Sequence, residues 1–97
     1  MNEFKPDWCI APADTLREWI DATVGGHVSV LAVACGGKAH KATSEAHIQS
    51  VLNREPMSEF TAMVLSKGTG ISARFWLALE HNYRAGLAAG LTDVFKR

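Results

Sequence analysis

The residues with the most chemistry to offer lie in the middle of the chain. Lys38, His40, Lys41, Ser44, Glu45, His47, Gln49, Ser50 and Arg54 fall close together there. A glutamine amide can donate to and accept from an adenine edge at once. An arginine can hold a phosphate or a guanine, and a lysine neutralises a phosphate as a point charge. The solvated face of any amphipathic helix also carries such residues, so spacing alone leaves both readings open.

Other chemistries find less support. His27, Cys35, His40 and His47 are near neighbours in sequence, but their spacing fits no common zinc pattern, and no metal or other cofactor is expected. HExxH, GxSxG and phosphate-loop motifs are missing, so the chain does not read as an enzyme and no small-molecule substrate is expected. Cys35 lies in an apolar run and reads as inert core, while Cys9 reads as exposed in an N-terminal arm without an orienting partner.

Elements that would position the middle segment can be read from periodicity. Residues 1–11, bracketed by Pro6 and Pro12, read as an extended arm. Leu16, Trp19 and Ile20 give one apolar helical face, so a first helix is expected over 12–23, ended by Gly25-Gly26. The apolar run 28–35 is a buried helix or a strand, stopped by Gly36-Gly37. Residues 38–43 read as a basic loop. A third helix is expected over about 44–54, capped by Thr43 or Ser44, burying Ile48, Val51 and Leu52 and stopped by Pro56. Ser58 would cap a fourth helix whose Phe60, Met63, Val64 and Leu65 face the core, with Gly68 and Gly70 closing it. Ser72 would cap a fifth, with Phe75, Trp76, Leu79 and Tyr83 on one stripe running towards Gly90. Residues 12–90 thus form the domain and 91–97 a short tail. Leu87, Leu91, Val94 and Phe95 are surplus apolar residues suited to a dimer or partner interface.

Composition bounds the class. The chain has 97 residues, 47% hydrophobic and 21% charged, which suits one globular domain and excludes a disordered chain. Aromatic residues crowd the two ends, with only Phe60 between, so the ends are expected to pack together. Two isolated cysteines, no signal-peptide pattern and no apolar run of the ~18 residues a span needs point to a cytoplasmic protein without a membrane partner. Formal net charge is zero, which counts against nucleic acid. The charge is unevenly spread, however: acids dominate 1–24, whereas 25–54 sets Lys38, Lys41 and Arg54 against Glu45.

Three stretches carry a resemblance. Ile10-Ala-Pro-Ala-Asp-Thr-Leu-Arg-Glu18 is similar to an opening "I-x-P-G-x-x-L-R-E". Ile48-Gln-Ser-Val-Leu-Asn53, with Pro56 beyond, is similar to "V-S-x-I-L-N-G". Gly70-Ile-Ser-Ala-Arg-Phe-Trp-Leu-Ala-Leu-Glu80 with Asn82-Tyr83 resembles "G-x-S/P-x-F-W-L-N-L-Q-x-x-Y-D". In this order they resemble the HigA-type antitoxins of the Xre/Cro helix-turn-helix family, over about residues 8–85. The resemblance implies an all-α, five-helix, lambda-repressor-like fold without a sheet. It also implies a homodimeric transcriptional regulator on a double-stranded operator, with a toxin as a further partner.

Two departures from the family pattern stand out. Val28 occupies the place of a phosphate-binding glutamine, and 38–43 would enlarge the turn between the second and third helices. With the zero net charge, these support an alternative: a helix-turn-helix scaffold reused as a protein-binding module that engages a host protein or toxin.

Overall fold

The computed structural model describes residues 8–93. Five α-helices account for most of that span, in line with the expected all-α class. In chain order they are α1 (Pro12–Val24), α2 (Val28–Gly36), α3 (Lys41–Leu52), α4 (Glu59–Thr69) and α5 (Ala73–Ala88). Two short strands, β1 (Trp8–Cys9) and β2 (Thr92–Asp93), pair in parallel, Trp8 with Thr92 and Cys9 with Asp93. The sheet-free expectation is therefore corrected. The ends of the described chain do meet, and the ladder between them satisfies backbone groups that an isolated arm and tail would leave to water.

Local chemistry sets the helix boundaries. Pro12 stands in the first turn of α1, where its missing N–H costs nothing. The Ser58 and Ser72 hydroxyls accept from the N–H groups of Thr61 and Phe75, capping α4 and α5 as the sequence suggests. The apolar run 28–35 settles as helix, and α1 and α2 meet at a bend of 94°. No single helix among the described residues is long and apolar enough to cross a membrane.

The region between α2 and α3 departs from expectation. Residues 38–43 are not a loop. Gly37 turns the chain at φ 76°, Lys38–His40 form one 3-10 turn, and α3 begins at Lys41. Thr43 and Ser44 are not caps but lie in the first turns of α3. The connection is thus short and glycine-led, comparable to the roughly three to four residues typical of a helix-turn-helix. The enlarged turn disappears because the segment winds up as helix.

α3 ends at Leu52 in a Schellman arrangement. Glu55 N–H donates to Ser50 O at 3.1 Å and Arg54 N–H to Val51 O at 3.0 Å. Arg54 takes the left-handed position, φ 65°, where glycine is usual.

One core joins all five helices. Leu16 and Ile20 of α1, Leu31 and Cys35 of α2, Ile48 and Val51 of α3, Leu65 of α4 and Trp76 of α5 are buried in it. Gly68 lets α2 and α4 touch: a β-carbon there would overlap Cys35 Sγ and come within 2.8 Å of Leu31 Cδ1. Cys9, Ala11, Ala13 and Tyr83 form a second, smaller cluster beneath the strand pair. Cys9 is accordingly buried, contrary to its reading as exposed, and burial together with the Asp93 carboxylate pushes its thiol pKa up.

Two buried faces differ from the periodic reading. On α5 the buried line is Trp76, Glu80 and Tyr83, while Phe75 is 46% exposed. On α4 Thr61, Ala62 and Leu65 point inward, and Phe60 and Met63 stand 61% exposed. Polar residues on the inward faces explain both corrections. Glu80 is held by Arg84 Nε at 2.9 Å and by Met57 N–H at 3.2 Å, and Thr61 by the Ser58 cap and His47. Once bonded, they can occupy positions that a pattern reader reserves for apolar side chains.

Candidate nucleic-acid interface

α3 is anchored by Ile48 and Val51, both buried, and Leu52 is half-buried against the same core. The helical repeat then turns Ala42, Ala46, Gln49 and Asn53 to the outside, and all four are exposed. Gln49 makes no side-chain hydrogen bond among the described residues, so both ends of its amide are available. Lys38, in the 3-10 turn that precedes α3, is exposed and in no ion pair among the described residues. Lys41 lies 3.7 Å from Glu45, a half-exposed i, i+4 pair that contributes little and yields readily to a competing anion. His40 is exposed beside them.

The other candidate contacts face elsewhere. Arg54 is only 18% exposed, because Nε donates to Asp93 at 2.7 Å and Nη2 to Asp14 at 2.6 Å. Those two carboxylates raise its pKa further and leave no fork for a phosphate. Ser44 is buried against the end of α2. His47 turns to α4, its Nδ1 2.9 Å from Thr61 Oγ1 and its ring edge-on to Phe60 at 5.2 Å. Glu45 is engaged by Lys41, and the Ser50 hydroxyl donates to Glu55 at 3.4 Å. Of the nine candidates from sequence, the structure leaves Lys38, His40, Lys41 and Gln49 exposed, with His40 towards α4 and Lys41 towards α2, and withdraws Arg54, Ser44 and His47.

At the C-terminal end, Leu87 is 36% exposed. Leu91 is not free: it packs half-buried on the Cys9–Tyr83 cluster. Val94 and Phe95 lie outside the described residues. Ala42 and Ala46, the small residues of this exposed face, cannot be singled out from sequence, because small apolar residues signal nothing until the face is known. No family model, no curated protein and no solved structure matches the chain.

Proposed function

We propose that this chain is a helix-turn-helix protein of the Xre/Cro kind that binds duplex DNA as a homodimer and regulates transcription. α3 would enter the major groove. One observation carries the reading: α3 is fixed on the core by Ile48 and Val51, a short glycine-led connection bearing an unpaired Lys38 joins it to α2, and its outward face offers a free Gln49 amide. The small side chains of Ala42 and Ala46 leave room for the helix to sit close to base edges, where a glutamine can recognise adenine. Palindromic half-sites follow from a two-fold dimer. If the antitoxin resemblance extends to biology, a toxin is a second partner.

The test is fluorescence anisotropy of labelled duplexes from DNA upstream of the protein's own reading frame, titrated at several salt concentrations. Sequence-selective binding that weakens steeply with salt is expected. Equal affinity for the upstream duplex and a scrambled one would overturn the proposal. The second reading, a protein-binding module without sequence-specific DNA binding, would then take its place. The withdrawal of Arg54, Ser44 and His47 and the exposed Ile10 and Phe75 favour that reading.

A further inference from the structure

The face of α3 that turns away from Gln49 forms one wall of a groove of about 480 Å³, with α4 as the other wall. The two helices run antiparallel along it. At one end His47 meets Thr61 and Phe60. At the other, Gly36 closes on His40 and Ser44, and Cys35 lies against Gly68, next to Lys67. The groove is therefore polarised. Phe60, Met63 and Val64 make an apolar wall, and the first two are largely uncovered. His40 and Lys67 sit at the Gly36 end, and no carboxylate lines the groove. Lys67 forms no ion pair among the described residues.

Ser44 adds a second observation. It is 5% exposed and lines the groove, yet its hydroxyl makes no hydrogen bond among the described residues. The hydroxyl is not sealed off: it opens to the groove and can donate to what enters there. A β-carbon on Gly36 would stand 3.0 Å from that hydroxyl, so the glycine keeps this end of the groove open.

We propose that this groove binds a small monocarboxylate with a straight apolar tail. The tail lies along Phe60, Met63 and Val64, and the carboxylate accepts from Lys67, Ser44 and the His40 ring at the Gly36 end. The volume falls in the range of small-ligand sites, roughly 300–1,000 Å³. The walls from His40 to His47 run about 10 Å at the usual helical rise, the reach of an eight-carbon chain. Apart from His40, the lining shares no residue with the exposed set around Gln49, so the site stands whether or not α3 reads DNA.

Isothermal titration calorimetry of the full chain with octanoate, below its micelle-forming concentration, tests the assignment. Octanol supplies the tail without the charge, and acetate the charge without the tail. Octanoate is expected to saturate at one per chain, with octanol and acetate at least about tenfold weaker, the effect of losing charge-assisted hydrogen bonds or the apolar contact. Lys67→Gln should weaken octanoate about tenfold and leave octanol unchanged. Phe60→Ser, at an exposed position, should weaken both. Octanoate should also shift the methyl resonance of Met63. Absence of saturable octanoate binding, equal affinity for octanoate and octanol, or octanoate affinity unaffected by Lys67→Gln would each overturn the proposal.

Discussion

Arg54 Nε donates to Asp93 Oδ2 at 2.7 Å, tying the end of α3 to β2 across 39 positions of sequence. The same guanidinium reaches Asp14 in the first turn of α1 at 2.6 Å, and the Arg54 carbonyl accepts from Arg84 Nη2 at 2.7 Å. One residue thus fastens α1, α3, α5 and the terminal strand together. Removing it takes a charged hydrogen-bond donor from two largely buried carboxylates. Arg54→Ala should therefore cost about 3–5 kcal/mol in urea denaturation. Arg54→Gly should cost about 1 kcal/mol less than Arg54→Ala, because glycine accepts the left-handed backbone that alanine resists. Equal losses would mean the φ of 65° carries no strain.

Tyr83 shares the Asp93 carboxylate, its hydroxyl donating at 2.6 Å. Burial, then that hydrogen bond and the Asp93 charge, push its pKa up to about 12. It is the chain's one tyrosine, so tyrosinate absorbance reports this site alone. The unfolded chain should titrate near 10, the ordinary value. Below about pH 10 both states keep the proton and the stabilisation is complete. Between about 10 and 12 only the folded state keeps it, so stability falls with rising pH, by about 2–3 kcal/mol in all. Tyr83→Phe should remove that alkaline slope. A native tyrosinate midpoint near 10 would contradict the burial of the hydroxyl.

Trp76 and Phe75 are neighbours with opposite fates, one fully buried and the other 46% exposed. Trp76→Ala should cost about 3–5 kcal/mol and Phe75→Ala less than about 1 kcal/mol in thermal or denaturant melts. The reverse order would mean that α5 is rotated by about one residue.

How far the fold can be read from sequence depends on the range of the interaction concerned. Ser58, Ser72, Pro12 and Gly70 act on the next few backbone groups, so their positions mark the starts of α1, α4 and α5 and the end of α4 almost to the residue. The stripe on α5 misleads because Glu80 lies in its buried line and is neutralised by Arg84, which no apolar count registers. Arg54 misleads as a DNA contact for a related reason. Its partners, Asp14 and Asp93, are remote in sequence, and nothing local reveals that its charge is already paired. Residues 38–43 look like a loop because lysine, histidine and threonine signal exposure, which is correct, rather than irregular backbone, which is not. Exposure and conformation are separate properties, and a polar, alanine-bearing segment can satisfy the first while winding as helix.

DNA contacts make the sharpest remaining test of α3. If α3 reads DNA as proposed, with Arg54 occupied by Asp14 and Asp93, the contacts left are Gln49 for a base and Lys38 and Lys41 for phosphates. The two kinds leave different traces. Gln49→Ala should cost about 1–3 kcal/mol on the preferred duplex and relax specificity at one position. Lys38→Ala and Lys41→Ala should weaken binding to every sequence alike, each flattening the log–log salt dependence by about one unit. Val28 opens α2, half-buried against the core. Val28→Gln would keep its stem on the core while its amide reaches out to a phosphate, so binding should strengthen without a change in specificity. Arg54→Lys supplies the control. It should lower stability, because lysine cannot hold two carboxylates with one planar fork, while leaving the salt slope of the folded protein unchanged. If Arg54→Lys flattened the slope as much as Lys38→Ala, the guanidinium would be touching phosphate and the assignment of α3's reading face would be wrong.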